Sequence, residues 1–286
     1  MIDYVFRYDP SNQTSHPVPP DAKSARLALE QGNRTFSRWM EHCRTGAATG
    51  EAAQHIIACS ASEMDLVQSY DEMPKQIPFA VVLGCSDARV PTEMIFGQGF
   101  NSLFVTRVAG NILGDVCLGS IDFAVQALSE SVRVVVVLGH SGCGAVKGAV
   151  QAYLEPEKYW TKANTQSLRT ILQRLFVSVR RSANALDEVW GAGASQMPGY
   201  QDALVEVAVG LNTAHTAYAL REEVERFGKP GVEVLHGVYN IRNHQVSMPV
   251  DPKARPSDDN VNLAQAPKHP DDFPILARKM AEILRP

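Results

Sequence analysis

The chain of 286 residues lacks several features that mark whole classes of protein. Positive charge is not in excess: the formal net charge is −4 at pH 7, whereas general nucleic-acid and membrane-surface binders are basic. No stretch approaches the roughly 18 consecutive apolar residues of a transmembrane helix. The first ten residues, MIDYVFRYDP, show no basic region followed by an apolar run and predict no secretory signal. These absences argue against nucleic-acid and membrane partners.

Cysteine is scarce, and the five that occur form an odd number. Without a secretory signal, an odd count indicates a reducing compartment in which thiols stay free or bind metal, so the predicted location is the cytoplasm. Cys43, Cys59 and Cys117 do not lie with other candidate ligands at the ends of predicted buried strands and are expected to be structural thiols. Cys85 and Cys143 instead lie at the ends of predicted elements.

The apolar pattern is most regular in the middle of the chain. Four runs rich in valine and leucine predict strands at 79–84, 102–110, 132–140 and 231–241. Helical spacing of apolar residues fills the intervals between them. The alternation predicts an α/β fold with a mainly parallel central β-sheet flanked by helices. The predicted helices cover 118–130, a segment starting near 141, 164–189 and 200–227.

The two ends of the chain differ from this regular middle. The first 20 residues are polar and Pro-rich and predict an extended arm, followed by a helix from Asp21 that the Gly32–Asn33 pair is expected to divide. Short helices and a loop are expected over 46–78, and a polar loop and a last helix over 251–284. No internal repeat or long linker interrupts the chain. We therefore predict one domain, 1–286, with an N-terminal arm (1–48) and a C-terminal extension (251–286).

Candidate metal ligands follow two of the predicted strands. Cys85 comes directly after the strand at 79–84, and His140 ends the strand at 132–140. Ligands of open parallel sheets bind at the carboxyl ends of the strands, so these two side chains are expected at one edge. Cys143 stands where a helix begins, and the helix N-terminus stabilises its thiolate. Two cysteines and one histidine form a known set of zinc ligands.

Each of these residues has a simpler interpretation when taken alone. A single cysteine at a strand end is more often a buried apolar side chain than a ligand, and a single histidine can cap a helix. Their combination at the ends of two buried strands favours a metal site. Structural zinc sites are usually closed by a fourth protein ligand, and only three converge here. The pattern is therefore typical of a catalytic zinc with water in the fourth position.

Two charged residues, Asp87 and Arg89, follow Cys85 closely in the segment CSDARVP. As an exposed ion pair they would contribute little to stability. Beside a zinc site, Arg89 can hold Asp87 ionised and away from the metal, and Asp87 can accept the proton of a zinc-bound hydroxide. If the pair broke, Asp87 could bind the metal and close the site. The sequence leaves the open and the closed forms as alternatives.

Three motifs, CSDARVP (85–91), RVAGN (107–111) and GHSGCGAVKG (139–148), together resemble the β-class carbonic anhydrases. The resemblance covers residues 24–241. It implies that one zinc ion per chain is bound by Cys85, His140 and Cys143, and that Asp87 and Arg89 form a catalytic dyad.

The same resemblance implies three substrate-binding residues and an assembly. Gln76 matches a glutamine that contacts substrate across a subunit boundary, and Phe104 and Gly144 match positions of an apolar CO2 pocket. Val82 stands where bicarbonate-regulated members carry tryptophan, which favours the unregulated, open-site type. Members of the family exchange N-terminal helices between subunits. We therefore expect the N-terminal helical arm to pack on a neighbouring subunit in a homodimer or a higher even-numbered homo-oligomer.

The activity implied is the reversible hydration of carbon dioxide to bicarbonate and a proton, by attack of a zinc-bound hydroxide. Because two thiolates make zinc a weaker Lewis acid, the activity is expected to rise toward alkaline pH. One alternative is hydrolysis of carbonyl sulfide or carbon disulfide, which are linear and apolar like CO2. Another is a non-catalytic zinc or redox-sensing module, which predicts a fourth protein ligand or exposed paired cysteines.

Overall fold

The structure is a computed structural model of the chain. It describes residues 2–8, 18–49, 53–59, 75–227, 231–251, 253–255, 257 and 259–286. None of the helices in this described part combines the length and the apolar character required to span a bilayer.

The central sheet contains six strands, which are β3 (Ala80–Gly84), β4 (Leu103–Arg107), β5 (Val134–His140), β6 (Glu233–Tyr239), β7 (Val246–Ser247) and β8 (Ala264–Gln265). Their order is β4-β3-β5-β6-β7, with β8 also paired to β6. The four longer strands are mutually parallel, and the two short ones run antiparallel to β6. The predicted α/β fold with a mainly parallel sheet is therefore confirmed.

Helices cover both faces of this sheet, which explains why its inner strands read as continuous apolar runs. The helices are α1 (Ala22–Thr49), α2 (Thr92–Ile95), α3 (Asp115–Ala127), α4 (Gly144–Leu154), α5 (Tyr159–Lys162), α6 (Gln166–Trp190), α7 (Tyr200–Arg226) and α8 (Asp272–Ile283).

Successive residues of β3 and β5 alternate between two apolar cores, as the pleat of a strand requires. Val82 and Val136 pack in a core that includes residues of α1 and α2. Val81 and Val137 point to the opposite face, where residues of α3 and the second half of α7 cover them. With every residue of both strands buried up to Gly84 and His140, the side chains that follow the strands are brought to one edge.

Helix α1 is continuous, so the predicted break at Gly32–Asn33 is wrong. Packing explains the pair better than helix termination does. A Cβ atom on Gly32 would lie 1.7 Å from the carbonyl oxygen of Phe96, so only glycine allows this approach. Asn33 is fully buried, and its amide donates to the carbonyl oxygens of Ile95 and His244. The contact of this helix with a neighbouring subunit stays a prediction.

A second, two-stranded parallel sheet pairs β1 (Ile2–Tyr8) with β2 (Ala53–Cys59). The expectation of short helices and a loop is therefore wrong for 53–59, and the extended N-terminal segment is a strand over 2–8. The expectations for 9–17 and 60–74 fall outside the described residues. Strand β2 pairs with residues far back in the chain, so local sequence patterns carry little information about it.

The C-terminal segment returns to the body of the chain. Helix α8, predicted over 272–284, is confirmed and packs on α6 and α7. The indole N–H of Trp190 donates to the carbonyl oxygen of Ala281 at 2.9 Å. Gly210 makes room for Met280, whose Cε atom would lie 2.4 Å from a Cβ at that position. The division of the chain into one domain with two appendages stays a prediction.

Candidate metal centre

Three buried side chains from separate elements meet at the carboxyl edge of the sheet. Cys85 directly follows β3, His140 is the last residue of β5, and Cys143 immediately precedes α4. Their ligand atoms all lie within 4.8 Å of one another, and the two Sγ atoms are 4.0 Å apart. These three residues could hold a metal ion, and the predicted convergence is confirmed.

The other cysteines stand apart from this group. Cys43 is buried and Cys117 is half-buried, and both are free thiols. Neither belongs to the cluster of potential ligands that the described residues form. The side chain of Cys59 lies outside the described part of the structure.

The geometry of the three donors fits zinc. A tetrahedral zinc with Zn–S bonds of about 2.3 Å places two sulfurs about 3.8 Å apart, close to the 4.0 Å observed. The Nδ1 atom of His140 lies 3.1 Å from the carbonyl oxygen of Ser141, so an Nδ1–H donates there and leaves the Nε2 lone pair available. That Nε2 atom is buried and has no hydrogen-bond partner among the described residues. An unpartnered buried nitrogen facing two sulfurs is what a metal ligand requires.

The pKa values of the two contacting thiols are shifted in opposite directions. The hydrogen bond with the Cys143 thiol lowers the pKa of Cys85. The backbone N–H of Gly110 also donates to its Sγ, at 3.4 Å. The same contact raises the pKa of Cys143, because its proton bridges to the neighbouring sulfur and its side chain is buried. Because cysteine binds a metal as the thiolate, a bound cation would displace the proton that lies between the two sulfurs.

Asp87 and Arg89 form a two-pronged pair at the edge of this cluster. Arg89 donates from Nε to Oδ1 at 2.9 Å and from Nη2 to Oδ2 at 2.7 Å, and its backbone N–H also reaches Oδ1. Hydrogen bonding to the Arg89 side chain holds the pKa of the Asp87 carboxyl far below its usual range. Oδ2 lies 3.8 Å from Nε2 of His140. The carboxylate is thus ionised, next to the ligands and restrained by Arg89.

Arg107 positions the segment that carries Cys85 and Asp87. Its guanidinium donates from Nε to the carbonyl oxygen of Cys85 at 2.9 Å, and from Nη2 to that of Asp87. The RVAGN motif contains this residue, but the motif alone does not predict its role. Its place at the end of β4, the strand next to β3, is the signal that could have indicated it.

The three predicted substrate residues occupy different positions. Phe104 lies half-buried in β4, opposite Val81 of β3. Gly144 is the exposed first residue of α4, and a Cβ there would meet no atom within 4 Å. Gln76 is exposed in the segment before β3. Asn101 fixes that segment by accepting from the N–H of Ile77 and donating to the carbonyl oxygen of Lys75.

A cavity of about 420 Å³ adjoins the cluster. Arg89 and Gly142 connect its lining to the candidate metal site. Lys147 and Arg242 add positive charge, and Glu206 adds a largely buried carboxyl whose pKa is raised by burial.

Comparison with known proteins agrees with this geometry. The family model described as carbonic anhydrase matches residues 80–246, more than half of the chain. The chain belongs to the β-carbonic anhydrase family. The matched segment contains Cys85, Asp87, Arg89, His140 and Cys143.

Individual carbonic anhydrases match over shorter segments. The carbonic anhydrase of Mycolicibacterium smegmatis is 49% identical over 82 residues, which cover 29% of this chain and 39% of that protein. Carbonic anhydrase 2 of Mycobacterium tuberculosis is 49% identical over 77 residues, or 27% and 36% of the two chains. The alignments with these relatives therefore span little more than a third of the relatives' length.

Among solved structures, the β-carbonic anhydrase CafA of Aspergillus fumigatus has a similar fold. It superimposes with a TM-score of 0.51 and 20% identity, covering 88% of this chain and 99% of that one. At this identity the likeness concerns the fold alone, and it extends well beyond the segment matched by the family model.

Proposed function

We propose that the chain catalyses the reversible hydration of carbon dioxide to bicarbonate and a proton, with one zinc ion per chain. The observation that carries the proposal is the convergence of Cys85, His140 and Cys143 beside a carboxylate that Arg89 restrains. Membership of the carbonic anhydrase family supports the reaction. The named activity of relatives such as the M. smegmatis carbonic anhydrase supports it as well.

The Cys85 and Cys143 sulfurs and the His140 Nε2 atom would hold the zinc. When bound, zinc supplies Lewis-acid activation of water near neutral pH. The His140 Nδ1–H bond to Ser141 fixes the ring so that Nε2 points at the sulfurs. Within the described residues the ligand cluster has three members, which would leave a bound zinc ion one position for water.

Asp87 would orient the reacting water. Its Oδ2 atom lies 3.8 Å from Nε2 of His140, so it would accept a hydrogen bond from a water held beside the ligands. Arg89 binds both carboxylate oxygens and so keeps Asp87 ionised and off the metal. That hydrogen bond would leave the oxygen lone pair of the water free to attack the substrate. The bond from Arg89 to Asp87 supports the open form of the site rather than the closed one.

Gln76, Phe104 and Gly144 are proposed to bind substrate. CO2 is linear and apolar, and the half-buried ring of Phe104 and the bare backbone at Gly144 suit such a molecule. Gln76 is exposed, which agrees with a role at a neighbouring subunit's site.

A homodimer or a higher even-numbered homo-oligomer is part of the proposal. Strand β4 forms one edge of the sheet, with β3 as its neighbour in the strand order. Helix α3 next to it exposes two large apolar side chains, Val116 at 85% and Phe123 at 55%. A strand edge that has no partner among the described strands, beside exposed apolar side chains, favours association with a second copy.

A reducing location such as the cytoplasm is proposed as well. Cys85 and Cys143 can bind metal only as thiolates, and a disulfide between their adjacent sulfurs would abolish the site.

The test is stopped-flow CO2 hydration with a pH indicator, on the purified full chain with its zinc content determined. Hydrolysis of carbonyl sulfide, followed as sulfide release, is measured on the same sample. We expect fast hydration with one zinc per chain and slower release of sulfide. A zinc-loaded chain that releases sulfide rapidly but does not hydrate CO2 would be a carbonyl sulfide hydrolase instead. A zinc-loaded chain with neither activity would favour the non-catalytic module.

A further inference from the structure

Helix α7 sends two polar side chains to the loops that surround the candidate metal site. Oε1 of Glu206 accepts a hydrogen bond from the backbone N–H of Gly142 at 2.8 Å. Nδ2 of Asn212 donates to the carbonyl oxygen of Gly110, also at 2.8 Å. Both glycines have left-handed backbone conformations, with φ of +63° and +68°. One helix therefore holds two turns that few other residues could form.

The first turn lies between two of the metal ligands. Gly142 separates His140 from Cys143, so its conformation sets the angle between these ligands. Ser141 is tied to the sheet, because its N–H donates to the carbonyl oxygen of Tyr239 and its Oγ accepts from the N–H of Ile241. The bond to Glu206 holds the other side of the loop. Oε2 of Glu206 is buried and has no hydrogen-bond partner among the described residues. Within that part of the chain, the carboxyl is therefore held by its hydrogen bond from Gly142.

The second turn touches a ligand directly. The N–H of Gly110 donates to Sγ of Cys85 at 3.4 Å, while its carbonyl oxygen accepts from Asn212. Gly110 is also packed closely, since a Cβ there would lie 3.2 Å from that of Ala145. Asn212 is only 4% exposed, so its amide cannot exchange this bond for one with bulk water. Fixing the carbonyl of Gly110 fixes the direction of the N–H that reaches the sulfur.

We propose that Glu206 and Asn212 are positioning residues of the metal centre. They act through Gly142 and Gly110 and do not touch the ligand atoms themselves. Outer-shell partners of this kind set ligand orientation and donor strength, and their loss typically lowers metal affinity 10- to 100-fold, an order-of-magnitude range. This positioning role rests on one part of the proposed function, the zinc site, and does not depend on which reaction is catalysed there.

The experiment compares variants of the full zinc-loaded chain by the rate at which zinc passes to a chromophoric chelator. Asn212→Leu removes the donor at similar volume, and Glu206→Met removes the acceptor. Glu206→Gln keeps an oxygen at the Oε1 position and tests rescue. The matched control is Trp190→Phe, which removes another buried bond from a side chain to a distant carbonyl oxygen, that of Ala281, away from the site.

A second readout is the sulfur-to-metal charge-transfer band of the cobalt-substituted chain. Losing the N–H···S bond makes the Cys85 thiolate a stronger donor, so the band should move to longer wavelength. We expect this shift in Asn212→Leu, and zinc release about tenfold faster or more in both Asn212→Leu and Glu206→Met. Glu206→Gln should release zinc within about twofold of wild type. Trp190→Phe should melt at lower temperature but keep both metal readouts.

Other outcomes would overturn the inference. If Asn212→Leu melted earlier like Trp190→Phe but kept the cobalt band and the zinc release rate, its role would be structural only. If Glu206→Gln released zinc as fast as Glu206→Met, the hydrogen bond to Gly142 would not be the cause. If the chain binds metal but does not hydrate CO2, zinc release and the cobalt band still test the positioning role. A wild-type chain that takes up no metal would overturn the positioning role together with the proposed function.

Discussion

At the level of single residues, the Asp87–Arg89 pair meets two opposing requirements of the proposed reaction. The carboxylate must be close to the metal ligands and yet not bind the metal. Hydrogen bonding to Arg89 lowers the pKa of Asp87 in the folded state, so its contribution to stability is lost only as the pH falls below the range of free carboxyls. Asp87 is therefore ionised throughout neutral and alkaline pH, and a rise in activity there belongs to another group.

Replacing either member of the pair should reduce hydration without removing zinc. We expect Asp87→Asn and Arg89→Met to lower kcat/KM for CO2 by roughly 100- to 10,000-fold, the usual contribution of a positioned proton acceptor. Asp202→Asn is the control, because Asp202 is an exposed carboxyl that lines the neighbouring cavity but has no bond to Arg89 in the described structure. Stopped-flow assays at equal zinc content measure the effect. A dyad variant as fast as Asp202→Asn would remove the pair from the mechanism.

A buried histidine, His236, makes the stability of the fold sensitive to acid. His236 on β6 is 3% exposed, and burial lowers its pKa to about 4. The unfolded chain binds this proton near pH 6.5, so stability is full above that value and falls as the pH drops toward 4. Between pH 7 and 4.5 this costs on the order of 2 kcal/mol. Urea unfolding at both pH values should show that His236→Leu loses less stability on acidification than wild type. An equal loss in both proteins would contradict the assignment.

At the level of elements, two helical glycines should respond in opposite ways to alanine. Gly32 in α1 faces the backbone of Phe96, and Gly119 in α3 faces no atom within 4 Å. We expect Gly32→Ala to lower the free energy of unfolding by about 2–3 kcal/mol or more through overpacking. Gly119→Ala should raise it by roughly 0.5–1 kcal/mol, because alanine favours a helix. Urea denaturation measures both. Similar effects at the two positions would show that α1 does not pack on α2 as described.

Individual strands and helices show what the sequence can and cannot predict. Strands β3 and β5 were predictable because burial on both faces leaves a continuous apolar run, and the ligands could be placed because they directly follow those strands. The predicted break of α1 at Gly32 was wrong, because the sequence does not distinguish a glycine that ends a helix from one that allows another segment to pack closely. Strand β2 depends on pairing with distant residues. Glu206 and Asn212 were not predictable because nothing local to α7 shows which loops it faces.

At the level of the whole molecule, association is the main prediction. Sedimentation velocity should give a species of at least two chains of 31.3 kDa, with even numbers favoured. Phe123→Glu should weaken this assembly, because it places a charge on the exposed face of α3 beside the sheet edge. Ile275→Glu, at a similarly exposed apolar position on α8, is the control and should not. A monomer at micromolar concentration would contradict the proposed assembly, and equal weakening by both variants would move the interface elsewhere.

The proposed reaction requires a zinc ion that is held by Cys85, His140 and Cys143. The most direct measurement removes zinc from the purified full chain with a chelator and adds it back in steps, recording CO2 hydration and bound zinc together. Hydration should rise in proportion to zinc and stop rising at one ion per chain, and His140→Ala should show neither tight binding nor activity. Hydration that survives zinc removal would show that the reaction does not need the metal, and a His140→Ala chain that still binds one zinc tightly would show that the metal is held elsewhere.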